Sequence, residues 1–208
     1  MWRLTAIGLC MMGLISLSRA DCGGDDFGVS EEDLQAGFAK GHALDLLHGE
    51  TLLYIAAVRG YDKKLQEWLP GNMEYLKSHP KVIMHSAGAG RVRSVKALLD
   101  AGVDVNTRDD DGATPLMAAV YCRAVGMARF LIERGADINA KSLNQNDAMI
   151  VAIVNHDEAM VSLLLGAGFQ IAGSRTSSGL SPMDIAIRTR QPRVAELIRA
   201  REIAEGGP

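Results

Sequence analysis

Aromatic residues are scarce in this chain, at 5% of its 208 positions. An aromatic-filled β-sandwich fits that scarcity poorly, whereas plentiful Ala, Leu, Val and Met suit short, closely packed helices. Strong charge of either sign is also missing. A net charge of −3, from 22 basic and 25 acidic residues, offers no basic stripe for nucleic acid. Three cysteines are too few for a disulfide-dense ectodomain. Long apolar runs are absent except at the start, where residues 4–17 are uncharged and mostly apolar. That run is shorter than the ~20 residues of a bilayer span. Arg3 precedes it, and Ser18-Arg19-Ala20 puts small residues at −3 and −1 of a cut after Ala20. Residues 1–20 therefore read as a secretory signal peptide, with no membrane insertion expected after its removal. Cleavage leaves 20 basic against 25 acidic residues, a net charge of −5. Cys10 leaves with the signal, and Cys22 and Cys122 remain. They can pair with each other, stay free or bond between chains, because the stretch Cys22-Gly-Gly-Asp-Asp fixes no distance to Cys122.

What the sequence has instead is a period. Thr114-Pro115-Leu116-Met117-Ala118-Ala119 is followed by Phe130-Leu131-Ile132-Glu133-Arg134-Gly135. Gly102 stands 33 residues before Gly135, behind Leu98-Leu99, and Gly168 stands 33 after it, behind Leu163-Leu164-Leu165. Self-similarity at such a step marks units that stack because none can bury its apolar face alone. Within the central unit Thr114 is placed to cap a first helix, with Pro115 in its first turn. Met127, Phe130 and Leu131 give a second helix, over about 125–134, its apolar stripe. Gly135 can end that helix in the left-handed conformation, and Asp111-Gly112 suits a hairpin tip.

With Asp109, Gly112, Thr114, Pro115 and Leu116 in the pattern Asp-x-x-Gly-x-Thr-Pro-Leu, the chain resembles ankyrin-repeat proteins, bacterial periplasmic members among them. Met117 replaces the family's usual His, Arg123 the Gly that usually ends the first helix, and Asp147-Ala148-Met149 a Thr-Pro-Leu. The resemblance covers about residues 43–204. It implies an all-α solenoid of about five helix-turn-helix units with short β-hairpin loops, at about 48–75, 76–108, 109–141, 142–175 and 176–205. Ahead of it, residues 21–30 are expected as a mobile leader. Residues 31–47 are expected as an N-terminal capping helix with Leu34, Phe38 and Ala39 on one face. The last unit sets Arg188, Arg193, Glu196 and Arg199 among Val194, Leu197 and Ile198, the polar outer face a terminal repeat requires.

The residues that could carry chemistry do not converge in sequence. His42 and His48, like His79 and His85, are six apart, which places neither pair on one helix face. They read as loop or surface histidines rather than metal ligands. Asp109-Asp110-Asp111-Gly112 recurs in calcium loops, but a loop in that register would begin at Thr107 and end at Ala118, where acidic ligands are needed. Seven methionines follow the signal, and six fall in pairs 33 or 34 apart, such as Met84 with Met117 and Met127 with Met160. That spacing assigns them to repeat packing rather than to copper(I). Gly88-Ala89-Gly90 lacks the partners of a nucleotide loop, and Ser86 and Ser181 lack a nucleophile elbow. No enzyme, metal or cofactor is expected.

The resemblance implies that hairpin tips and the open side of the first helices form a concave binding face. By register this face comprises Asp110, Asp111, Ala113, Tyr121 and Cys122 in the third unit. The fourth contributes Leu143, Asn144, Asn146, Val154 and Asn155, and the fifth Ser177, Ser178, Leu180, Arg188 and Thr189. Tyr121 is the candidate aromatic anchor, with simple helix packing as its other reading. The expected protein is a monomeric, non-catalytic module of the periplasm that binds another protein, with a role in oxidative-stress protection. An immunity protein against a periplasm-acting toxin, or an accessory subunit positioning an enzyme, are the alternatives.

Overall fold

The computed structural model describes Cys22, residues 31–40, 46–47 and 50–205. Apart from Cys22, the expected signal and leader lie outside the described residues. Helix α1 is Glu31–Lys40. It is shorter than the capping helix expected over 31–47, because Leu46–Leu47 is strand β1. This strand pairs antiparallel with β2, Glu50–Thr51, with Leu46 opposite Thr51 and Leu47 opposite Glu50. Ala39, expected on the covering face of α1, is exposed, and the side chains of Leu34 and Phe38 lie outside the described set.

Five helix pairs follow. The first is α2, Leu52–Arg59, with α3, Asp62–Trp68. The unit after it departs from the expected hairpin connection: a 3-10 turn at Leu69–Gly71 leads into an additional helix, α4, Met73–Ser78. Asn72 stabilises this junction by donating from Nδ2 to the Trp68 carbonyl at 2.7 Å. The second pair, α5, Lys81–Gly88, and α6, Val92–Asp100, begins directly after that helix, with no side chain capping α5. The remaining pairs are α7, Pro115–Tyr121, with α8, Val125–Glu133; α9, Ala148–Val154, with α10, Glu158–Gly166; and α11, Pro182–Arg188, with α12, Pro192–Ala204.

The first helices are short and, apart from α5, start at a capped residue. Thr51, Thr114, Asp147 and Ser181 each accept the backbone N–H three residues on, and Ser181 with Asp184 completes a capping box. Their residues are apolar on every side: 52–58, 115–120 and 148–153 are all buried. They can be so because each first helix is flanked by the next, α2 on α5, α5 on α7, α7 on α9 and α9 on α11. Ala56, Ala57, Ala118, Ala119 and Ala152 are fully buried, and their small side chains permit this close approach. Each second helix buries one stripe only, in α8 Met127, Ala128 and Leu131. Five of the six paired methionines, Met84, Met117, Met127, Met149 and Met160, are buried, as repeat packing requires.

The turns inside the units show how one backbone conformation is kept where the glycine is absent. Gly60 and Gly90 end the first helices of units one and two with positive φ. At the same place in units three to five stand Arg123, His156 and Arg190, with φ of 57°, 55° and 57°. Each closes the same pair of hydrogen bonds back to its helix, as Arg123 N–H to Val120 O and Ala124 N–H to Ala119 O. A side chain in this conformation costs roughly 1–2 kcal/mol, so these three units carry a strain that stacking offsets.

Candidate partner-binding face

The tips between units are built by short polar turns and then tied side by side. Asp104 and Asp137 accept the N–H of Asn106 and Asn139 two residues on, the Asx turn that fixes the base of each loop. Asn106 Oδ1 accepts the N–H of Asp137 at 2.7 Å, and Asn139 Oδ1 that of Gln170 at 2.8 Å, so each base is sewn to the next. A parallel row of cations does the same nearer the tips. Arg108 donates to the carbonyls of Gly112 and Lys141 at 2.8 and 2.7 Å, and Lys141 Nζ to that of Gly173 at 2.6 Å. Leu143 N–H donates to Asp111 O at 2.9 Å, and a Cβ on Gly112 would stand 3.2 Å from the Leu143 nitrogen. The tip of unit three and that of unit four are therefore in backbone contact, and a side chain on Gly112 would be both tight against Leu143 and strained at a φ of 72°.

Two carboxylates are shaped by this framework rather than by a ligand. Asp109 accepts from the N–H groups of Asp111 and Ala113, and burial holds its pKa above the ordinary range despite those bonds. Asp147 is deeper, 1% exposed. Burial likewise raises its pKa, against the hydrogen bonds from Ser174 Oγ and the Ile150 N–H, at 2.6 and 2.9 Å.

The fifteen residues expected on the binding face fall into separate groups. Asp110, Leu143, Asn144, Ser177, Ser178 and Arg188 are exposed, and Asp111 half-exposed. Leu143 shows 73% of its surface. Ala113 and Asn146 correct the expectation: both are buried at the foot of their loops and offer no side chain to a partner. Val154 and Leu180 are half-buried against the core. Thr189 turns its hydroxyl back to Ile185 O at 2.7 Å.

Tyr121, Cys122 and Asn155 sit at the far ends of their helices. Tyr121 is half-buried and packs against the cluster of Met84, Ala113, Met117, Ala118 and Ala140. Its carbonyl accepts from Asn155 Nδ2 at 2.9 Å, while Arg123 donates back to Asn155 O. Arg91 and Gln191 make the equivalent bonds at Val58 O and Ile153 O, 3.0 and 2.8 Å, so this edge has its own ladder of capped carbonyls. Cys122 is bonded to Cys22, with Cα atoms 5.0 Å apart, which resolves the pairing the sequence left open and leaves Cys122 half-buried with no free thiol.

One cluster had no sequence expectation. In unit one Tyr54 follows its cap Thr51 as Met117 follows Thr114. Its hydroxyl shares a hydrogen bond with His85 Nδ1, and Lys81 Nζ lies 5.1 Å from its ring centre. Tyr75, on the additional helix α4, bonds Thr51 Oγ1 at 3.0 Å and stacks on His79 with centroids 3.9 Å apart. Of the histidines noticed for their spacing, His42 and His48 lie outside the described residues, while His79 and His85 are each tied to a tyrosine. His85 is a helical, half-buried residue bonded to Tyr54. The only signal in the sequence was the concentration of Tyr, His and Lys between residues 75 and 85. Among the described residues no group of three or more His, Cys, Asp or Glu could hold a metal ion, and no helix is long and apolar enough to cross a membrane.

Comparison with known proteins agrees with this architecture. Residues 52–142 match the family model for ankyrin repeats (3 copies). Ankyrin repeat domain-containing protein 49 of Bos taurus is 36% identical over 81 residues, 38% of this chain and 34% of that protein. The neurogenic locus Notch protein of Drosophila melanogaster is 37% identical over 87 residues, 41% of this chain and 3% of its own length. Putative ankyrin repeat protein YahD of Escherichia coli (strain K12) is 29% identical over 92 residues, 44% of this chain and 46% of that protein. In each case the matched stretch spans less than half of the relative. Residues 52–142 are thus ankyrin repeats by sequence as well as by fold, and the helix pairs that continue to Ala204 extend the same solenoid.

Proposed function

We propose that this protein is a non-catalytic module that binds another protein across the tips of units three to five. Asp110, Leu143, Asn144, Ser177 and Ser178 form the contact strip. The observation that carries the reading is Leu143. It is a large apolar side chain, 73% exposed, on a loop whose backbone is tied to the tip of unit three by Leu143 N–H to Asp111 O and within itself by Ser142 N–H to Asn146 O. A rigid, exposed apolar residue with polar flanks loses little entropy on binding and is the usual make-up of an interface anchor. Tyr121 moves to a supporting role, since its ring is half-covered by methionines.

The site of action in this proposal is the periplasm. The signal-like residues 1–20 support it, and so does the Cys22–Cys122 bond, because such bonds persist in oxidising compartments. Protection against oxidative stress is the role we assign, with toxin immunity as the competing one. The test is capture from periplasmic extract on immobilised protein, comparing wild type with the Leu143→Asp, Asp110→Arg double variant. The proposal expects one partner, an enzyme of peroxide defence, whose affinity falls at least about tenfold in the variant. A secreted toxin as the captured protein would replace the role and keep the strip. Equal binding by both proteins would sink the strip itself.

A further inference from the structure

Along the array, one face of each first helix is closed off by the unit that follows. Two, three and six residues past the cap Thr114 stand Leu116, Met117 and Val120, and at the same places past Asp147 stand Met149, Ile150 and Ile153. At about 100° per residue these three places share one side of a helix. All six residues are at most 2% exposed, and the corresponding residues of units one and two are buried as well. In unit five the same places hold Met183, Asp184 and Ile187, with Arg188 next round the helix. Met183 is half-buried, Asp184 and Arg188 are exposed, and Ile187 shows 62% of its surface. Ile185 and Ala186, on the rest of α11, are buried as usual. The chain does not turn back over this face where it does in earlier units. Gly168 follows the end of α10 with positive φ, whereas Glu202, 34 residues on, is helical and α12 continues to Ala204.

We infer that this face takes a second copy of the chain, with α11 packed antiparallel on the other copy's α11 about a two-fold axis. Two features choose a copy over another occupant. The face continues the interface that joins the units, where the surface it meets is each time another first helix of the same pattern. Its charges are also self-complementary. Asp184 and Arg188 stand one helical turn apart, and a two-fold axis that reverses the helix sets each opposite the other in the second copy. Any other protein would have to carry an acid and a base at that spacing, whereas a second copy supplies them by symmetry. Asp184 is held ready for this role. It accepts from the Ser181 N–H at 2.9 Å and from Ser181 Oγ at 2.6 Å, both on Oδ2, so the carboxylate is oriented and Oδ1 is left to accept from a guanidinium. Met183 and Ile187 then form an apolar centre between two charge pairs, the usual anatomy of an interface. This dimer departs from the monomer expected of the sequence, and it gives the assembly two copies of the tip strip.

The experiment is sedimentation velocity of the full chain over a range of concentrations up to about 300 μM. Two short helices make a small interface, so wild type is expected to show a monomer–dimer equilibrium with a dissociation constant of about 1–100 μM. Ile187→Asp and Arg188→Glu should each weaken it at least about tenfold, and Ile187→Val should keep it. Salt at roughly 0.5 M, where screening acts within a few ångströms, should weaken the wild-type dimer as well. If circular dichroism shows that Ile187→Asp has lost its helices, Arg188→Glu decides alone, since that side chain is exposed at the end of α11. A monomer at every concentration would overturn the inference, as would association that Ile187→Asp and Arg188→Glu both leave intact. Loss of the dimer in Leu143→Asp would also overturn it, by placing the second copy at the tips instead.

Discussion

Gly126 and Gly135 lie nine residues apart, with nothing within 4 Å of a Cβ built on either, yet an alanine should act in opposite directions at the two positions. Gly126 is inside α8 with ordinary helical φ, so Gly126→Ala should stabilise by roughly 0.5–1 kcal/mol through helix propensity and a less flexible unfolded chain. Gly135 has φ of 86°, and Gly135→Ala should cost about 1–2 kcal/mol for a left-handed side chain. Urea unfolding of the two variants checks both signs at once. Asp147 gives a residue-scale prediction with a pH axis. Burial raises its pKa above the ordinary 3.8. A carboxyl raised by folding stabilises the fold when protonated. Its contribution is fully present below the unfolded value and is lost as pH rises through the folded one. Asp147→Asn keeps an acceptor for the Ile150 N–H and carries no charge. Its stability relative to wild type should therefore climb between about pH 3 and pH 7. Parallel urea midpoints across that range would show that the carboxyl titrates as it does in the unfolded chain.

Between elements, the stack depends on volume. Ala119 is fully buried and packs in the core shared by neighbouring first helices, so Ala119→Glu should prevent folding of units three and four by burying an unpaired charge. Leu131, fully buried under α8, should cost roughly 2–5 kcal/mol when cut to alanine. Near-wild-type thermal melting of either variant would refute the packing described for α7 and α8. The same scale shows why some elements were legible in sequence and one was not. Gly102, Gly135 and Gly168 are legible because a residue at ease with positive φ closes each of the second helices α6, α8 and α10, and the solenoid repeats that need every 33 residues. Arg123, His156 and Arg190 hide the same turn, because a tolerated strain leaves no residue type to search for. Helix α4 has no counterpart in other units to align with, and Leu69-Pro70-Gly71 reads as a break rather than as the lead into a helix.

For the molecule as a whole, the Cys22–Cys122 bond closes a loop spanning a sequence separation of 100 that holds units one and two and the whole first helix of unit three, and leaves units four and five outside it. Solenoid stability is a sum of units and their interfaces. Reduction, or Cys22→Ser with Cys122→Ser, should therefore cost about 2–4 kcal/mol on the N-terminal side. Hydrogen exchange should rise in α2 to α6 and stay unchanged in α11 and α12. A uniform rise across all units would mean that the array unfolds as one body regardless of the bond. By itself the sequence determined the repeat, its period and the first and second helices of most units, because capping, helix stripes and left-handed glycines are local demands written in consecutive residues. Tertiary structure decided which candidate contact residues face outward. Ala113 and Asn146 share the register of exposed neighbours, and only packing puts them inside, Ala113 in the cluster with Met84, Met117, Ala118 and Ala140, and Asn146 at the foot of its own loop. It also decided that Cys22 meets Cys122, since a distance across three stacked units is set by the stack and by nothing within either segment.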